Sequence, residues 1–162
     1  MPVTVERRRD PLAVERVLRT LPDWFGIEEA LLGYVAKAEI LESFLAVDDG
    51  EVAGVALIER HFPESAELAL IAVSAPLRAT GVGRALVTTI EDHLHADGCD
   101  FLEVHTVGPS FEHAGYAATR AFYRAVGFAP MHEFDGLDWA GPTLVMIKSL
   151  HPASRPTPQS LD

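Results

Sequence analysis

The sequence predicts a single mixed α/β domain of about seven strands and four helices, ordered β-α-α-β-β-β-α-β-α-β-β. Three observations carry that expectation. The 162 residues suit one compact core and fall short of two ordinary domains. Short apolar or alternating runs interleave with stretches of helical spacing. Asp48-Asp49-Gly50-Glu51 joins two of those runs as a hairpin, so an antiparallel start precedes a parallel strand-helix-strand middle.

Val3 to Arg7 alternates as a first strand. Asp10 caps, and Pro11 opens, a helix through Leu18. Leu21 to Gly26 is a loop. After it Ile27, Leu31, Tyr34, Val35 and Ala38 recur at helical spacing. Ser43–Val47 and Val52–Arg60 are the hairpin strands, and Glu67–Val73 is a nearly continuous apolar run, as in a strand covered on both faces. Val82, Leu86, Ile90 and Leu94 form one helical stripe that ends near Gly98. Phe101–Val107 is a strand, and Gly108–Gly115 a loop. Tyr116–Val126 is a helix closed by Gly127, with Ala118, Phe122, Ala125 and Val126 as its apolar stripe and Tyr123 beside Thr119 on a neighbouring one. Phe128–Phe134 and Leu144–Leu150 are the last strands. His151–Asp162, with Pro152, Pro156 and Pro158, reads as a disordered tail behind a domain of residues 1–150.

Thirteen basic residues against twenty-four acidic ones leave a charge of −11. That excludes a nucleic-acid or anionic-membrane surface, which needs a basic footprint. The acidity either keeps the chain soluble or draws cationic substrates. A lone cysteine, Cys99, excludes an intrachain disulfide and fits a reducing cytosol, where it serves as a small apolar residue. Met1–Asp10 shows no secretory leader, and no run approaches ~18 apolar residues, so a cytoplasmic location is expected, as monomer or homodimer. No metal is expected: His93 and His95 point to different helix faces, and neither His-Glu-x-x-His nor Cys-x-x-Cys occurs.

The loop Arg78-Ala79-Thr80-Gly81-Val82-Gly83 lies between a buried strand and an amphipathic helix, where free N–H groups and the positive helix end suit a pyrophosphate. Glycine lets the backbone approach the anion, and Arg78 and Arg84 add charge. The loop lacks the Gly-Lys-Ser/Thr of a Walker motif, and Leu86 stands where a dinucleotide fingerprint has its third glycine. Downstream lies Tyr116-Ala-Ala-Thr119-Arg-Ala-Phe122-Tyr123-Arg-Ala-Val-Gly127-Phe128. With both motifs in place the chain resembles the GCN5-related N-acetyltransferase (GNAT) superfamily, over roughly residues 3 to 150. The superfamily shares an Arg/Gln-x-x-Gly-x-Gly/Ala loop and an Asn-x-x-Ala-x-x-Leu-Tyr-x-x-x-Gly-Phe helix. Tyr116 takes the Asn position and Thr119 the Ala position, so the Asn contact is not carried over.

The resemblance implies a central sheet with helices on both faces, and a splay between the fourth and fifth strands that takes the pantetheine arm. It implies acetyl-CoA as co-substrate, backbone contacts from Ile71, Ala72 and Val73, and a pyrophosphate held by Arg78, Ala79, Thr80, Gly81, Val82, Gly83 and Arg84, with Thr119 nearby. It further implies direct transfer of an acetyl group to an amine acceptor. The alternatives are a non-catalytic acyl-CoA-binding module and an O-acetyltransferase.

Freeing an alkyl amine of pKa ~10.4 at pH 7 costs about 4.6 kcal/mol, whereas the departing thiol, near ~8.5, is less demanding. By resemblance Tyr123 is the acid beside the CoA sulfur. Glu67 is the first choice of base, since it is polar on an apolar strand and precedes Arg78 by the offset of the histone-acetyltransferase glutamate. His61 is the runner-up; Glu103 and His105, on one face of the fifth strand, rank lower, and a water chain without a dedicated base is the remaining option. By resemblance the acceptor pocket draws on Trp24, Phe25, Tyr34, Asp138 and Trp139. Trp24 and Trp139, next to Asp23 and Asp138, either pack or form an aromatic, acidic cup for a cation.

Overall fold

The computed structural model describes residues 3–151. Seven strands form one sheet: β1 (Thr4–Arg7), β2 (Glu42–Asp48), β3 (Glu51–Phe62), β4 (Ser65–Val73), β5 (Phe101–Val107), β6 (Ala129–Asp135) and β7 (Pro142–Ser149). Their spatial order is β1-β2-β3-β4-β5-β7-β6, with every neighbouring pair antiparallel except β4 and β5. Helices α1 (Pro11–Arg19) and α2 (Glu28–Lys37) pack on one face; α3 (Val82–Ala96) and α4 (Ala114–Ala125) pack on the other. The element order is the one the sequence predicts, and the boundaries move by a few residues.

Local chemistry explains the ends. The Asp10 carboxylate accepts the Ala13 N–H at 3.0 Å and caps α1. The β2–β3 turn places Asp49 and Gly50 at positive φ, 51° and 80°, as a two-residue type I′ turn requires. His113 Nδ1 accepts the Tyr116 N–H at 3.3 Å, which starts α4 at Ala114, ahead of the expected Tyr116. The α4 stripe also differs from expectation. Ala118 and Ala125 are exposed and Phe122 is half-buried, whereas Tyr123 and Val126 are buried. The buried stripe is rotated from the expected one because Tyr123 carries its large ring inward. Of the expected tail, His151 is described, its ring bonded to Asp100; the remainder lies outside the described residues.

Two features of the sheet position the site. In β4 the partners Leu57↔Leu70 and Ile58↔Leu68 leave Ala69 unmatched, a bulge that switches the buried face. Ala66 and Leu68 therefore pack with α3, while Leu70 and Ala72 pack with α1 and α2. This switch, rather than burial of both faces at each residue, accounts for the continuous apolar run. The second feature is the end of β4–β5 pairing at Glu67↔Glu103. Beyond it the two strands part, and the β5-facing N–H and C=O groups of β4 lack a ladder partner. Gly54 on β3 lets α3 sit close behind this region: a Cβ there would lie 2.8 Å from Val82 Cγ1 and 3.3 Å from the Ala72 oxygen.

Candidate active site

A cavity of about 520 Å³ opens where β4 leaves β5. Ile71, Ala72, Val73, Arg78, Ala79, Gly81, Gly83, Arg84 and Thr119 line it, together with Ala118, Phe122 and Tyr123. Thr80 and Val82 do not. The Thr80 hydroxyl donates to the Leu77 carbonyl and ties the loop back, and the Val82 side chain is buried in the core. Gly81 at φ 91° and Ala79 at φ 63° turn the chain into α3 through left-handed conformations. The N–H groups of Val82, Gly83 and Arg84 precede the first helical bond, from Ala85 N–H to the Gly81 oxygen, and so stay free beside the cavity. Gly83 has a reason the sequence did not show. A Cβ there would meet Phe122 Cζ at 3.0 Å, so any larger residue makes the Phe122 ring on α4 give way by a few tenths of an ångström.

A second cavity, of about 600 Å³, adjoins the first along Ile71–Val73 of β4. Trp24, Phe25, Tyr34, Asp138 and Trp139 line it as expected from the sequence, each from the α1–α2 connection, α2 or the β6–β7 loop. Phe111, His113, Tyr116, His105, Thr106 and Thr143 line it as well. Tyr116, Thr119 and Tyr123 follow one another at spacings of three and four along α4, a signal that the sequence carried. Phe111 and Thr143 come from a loop and from the start of β7, and no local pattern announces them. Phe111 packs edge-on against Trp139 with ring centroids 5.4 Å apart, and Trp139 Nε1 donates to the Pro142 carbonyl at 3.0 Å.

The cup for a cation differs from expectation. The Arg78 guanidinium sits over the Trp24 ring, 4.2 Å from its centroid, so the protein supplies this cation itself. Asp138 is held by His105, its Oδ2 2.9 Å from Nδ1. Two buried polar atoms on the cavity's lining residues, Trp24 Nε1 and Thr143 Oγ1, have no partner among the described residues. Each unpaired group costs about 1–3 kcal/mol, a cost that a polar ligand would remove.

The two cavities share Ile71, Ala72, Val73, Arg78, Thr119 and Tyr123. Tyr123 is buried at this junction, its ring edge-on to Phe128 at 5.7 Å. Burial pushes its phenol well above the usual value, so it stays protonated. Burial likewise raises the Tyr34 and Tyr116 phenols on the second cavity.

Glu67 lines neither cavity. Its carboxylate is 2.9 Å from His61 Nε2, and the ligand-type atoms of Glu67, Glu103 and His105 lie within 4.8 Å of one another, as do those of Glu59, His61 and Glu67. His105 Nδ1 is hydrogen-bonded to Asp138, and its Nε2 lies within ion-pair distance of Glu103 at 3.3 Å. Burial lowers the His105 pKa, but the Asp138 hydrogen bond and the charges of Glu67, Asp138 and Glu103 outweigh it, and the net shift is upward from 6.5.

The parted parallel pair, the bulged strand and the glycine loop at a helix start are the features that the family resemblance led one to expect. Residues 13–128 match the model of the acetyltransferase (GNAT) family, and the chain belongs to that family. Among solved structures, a GNAT-family protein from Desulfovibrio desulfuricans superposes with a TM-score of 0.82 at 22% identity, covering 93% of this chain and 100% of that one. The ribosomal-protein-S18-alanine N-acetyltransferase from Escherichia coli gives 0.73 at 20% identity, covering 96% and 99%. An aminoglycoside 6'-N-acetyltransferase complexed with coenzyme A gives 0.71 at 17%, covering 94% and 99%. A search of curated proteins finds no match. The chain is an acyltransferase by family, and among its described residues no helix is long and apolar enough to cross a membrane.

Proposed function

We propose that this protein acetylates an amine by direct attack on acetyl-CoA, with both substrates bound at once. The observation that carries the proposal is the shared wall: a cavity beside the glycine loop and an aromatic cavity meet along Ile71–Val73 and at Tyr123. The first fits acetyl-CoA, since free N–H groups and Arg78 and Arg84 suit a pyrophosphate, and the open edge of β4 suits an amide-bearing arm. Acetyl-CoA brings the thioester. The residues of this chain orient it, exclude water and manage protons.

Tyr123 acts on the leaving sulfur. A phenol held above the thiol's ~8.5 does not ionise on its own, so it stabilises the departing sulfur as a hydrogen-bond donor. At the acceptor end the Asp138–His105 pair, which lines the cavity, is the base in place of Glu67. Trp24, Phe25 and Trp139 hold the carbon skeleton. The buried Cys99 and the acidic surface fit a cytoplasmic enzyme with a cationic acceptor, either a small amine or a peptide amine.

Salt dependence tests the acceptor. Steering by a charge of −11 weakens with ionic strength, the Debye length being about 8 Å at 0.15 M. The kcat/KM for the acceptor falls as salt rises, while that for acetyl-CoA rises or stays flat. An acceptor value that climbs with salt rules out a cation drawn by the surface.

A further inference from the structure

The acceptor cavity has a wall of rings and little charge. Trp24, Phe25, Tyr34, Phe111, Tyr116 and Trp139 line it, from the α1–α2 connection, α2, the β5–α4 loop, α4 and the β6–β7 loop. Rings from different segments meet edge to face, Phe25 with Tyr34 at 5.7 Å and Phe111 with Trp139 at 5.4 Å between centroids. Burial raises both tyrosine phenols, so they stay neutral. Asp138 is the one carboxylate on the described lining, in a chain with twenty-four acidic residues, and His105 Nδ1 lies 2.9 Å from it. Arg78 brings a positive charge to the same wall, over the Trp24 ring. Thr143, 2% exposed at the start of β7, and Trp24 carry the buried hydroxyl and indole N–H that lack partners among the described residues.

We infer that the acceptor is a small monoamine built on one flat aromatic ring, with a hydroxyl or similar neutral polar group on that ring. The inference rests on the amine-acceptor reading above. Three features select this chemistry. Ring walls that already pair edge to face favour a planar π-system over a saturated body of the same size, by about two- to tenfold per ring pair. A single carboxylate accommodates one ammonium; a second, as in a polyamine, would share the cavity with Arg78 and find no acid of its own. A ring hydroxyl accepts from the Trp24 indole N–H, or pairs with Thr143 Oγ1 as donor or acceptor. A peptide or a sugar brings rows of amides or hydroxyls, which a wall of rings leaves unsatisfied.

The transfer itself is the one already described. An ammonium R–NH3+, with R carrying the ring, and CH3CO–S–CoA give R–NH–COCH3, HS–CoA and one H+; the C–N bond forms and the C–S bond breaks. Trp139 and Thr143 are then the specificity-determining residues. Trp139 Nε1 donates to the Pro142 carbonyl, which fixes the indole against Phe111 and sets the slot for the ring. Thr143 reads the substituent that the ring carries.

The test compares kcat/KM for tyramine, phenethylamine, 2-cyclohexylethylamine, putrescine and a peptide with an N-terminal alanine, each with saturating acetyl-CoA. Tyramine is expected first and phenethylamine second, with 2-cyclohexylethylamine severalfold lower and putrescine and the peptide at least about tenfold below phenethylamine. Trp139→Leu keeps apolar bulk on an exposed loop and is expected to narrow the phenethylamine-to-cyclohexylethylamine ratio severalfold. Thr143→Val keeps the side chain's shape and is expected to bring the tyramine-to-phenethylamine ratio to about one. A CoA-induced melting shift equal to that of the wild type shows that each variant is folded. If 2-cyclohexylethylamine, putrescine or the peptide matches phenethylamine, the aromatic acceptor is overturned and the amine reading stands. Tyramine no better than phenethylamine overturns the ring hydroxyl, and ratios that neither variant moves overturn the wall assigned to Trp139 and Thr143. A wild-type chain that releases thiol with none of the five amines overturns the amine reading and this inference with it.

Discussion

The two cavities that meet along Ile71–Val73 are built in opposite ways. The one beside the glycine loop is mostly backbone: a helix start, a left-handed turn at Ala79 and Gly81, and an open strand edge. Eight of its twelve lining residues come from one stretch, Ile71 to Arg84, and the other four from α4. The aromatic cavity is mostly side chain, gathered from the α1–α2 connection, α2, β4, β5, α4 and the β6–β7 loop. A backbone site tolerates drift in its side chains and holds one constant ligand chemistry. A side-chain site changes its preference with a single substitution, which is where an acyltransferase diversifies its acceptor.

The contrast can be broken at Tyr123, the residue common to both. Tyr123→Phe keeps the ring packing on Phe128 and removes the hydroxyl, and is expected to lower kcat by roughly 10²-fold or more with little change in CoA affinity. Steady-state kinetics with CoA calorimetry checks it; a kcat within a few-fold of wild type makes Tyr123 a packing residue. A smaller effect sharpens the backbone side. Arg84→Glu reverses a charge beside the loop and is expected to weaken CoA binding about tenfold while leaving the acceptor KM alone, since Arg84 lines only the loop cavity.

Gly83→Val separates fold from ligand. Because a Cβ meets Phe122, the variant is expected to lose about 1–3 kcal/mol of stability even without CoA, as urea unfolding would show. Loss of the CoA-induced melting shift alone, with ligand-free stability intact, would return glycine's role to the anion.

The smallest effect is on pH. His105 is raised above 6.5, so its protonated form is favoured by folding. That stability is fully present below about 6.5 and is lost as pH rises through the folded value. If His105 serves in the proposed base role its neutral ring is needed, and the acidic limb of kcat/KM is expected above 6.5. Asp138→Asn removes the hydrogen bond and charge that raise it, and is expected to move that limb to lower pH and flatten the loss of thermal stability. Matched pH–rate and melting profiles check both shifts, and a limb that stays in place detaches Asp138 from His105.

The same contrast explains what could be read in advance. Element order, the hairpin at Asp49-Gly50 and the loop from Arg78 to Arg84 were legible, since each depends on neighbours in the chain. The motif singled out Tyr123, and the fold buries it where the two cavities meet. The β4 bulge at Ala69 was not, because Glu67–Val73 reads as apolar whichever face is buried, and register is settled only by pairing with β3. Glu67 and His105 changed rank for this reason: the parting of β4 and β5 gives His105 a cavity wall, and Glu67 a histidine. Gly54 and Gly83 likewise showed their purpose only once α3 stood against the sheet and α4.

Thiol release from acetyl-CoA, measured over a range of amine concentrations with the acetylated product weighed by mass spectrometry, tests the central claim most directly. Two cavities joined at Tyr123 predict release that depends on and saturates with amine, matched one-to-one by amide. Tight CoA binding without any amine-dependent release would contradict it and leave a binding module in its place.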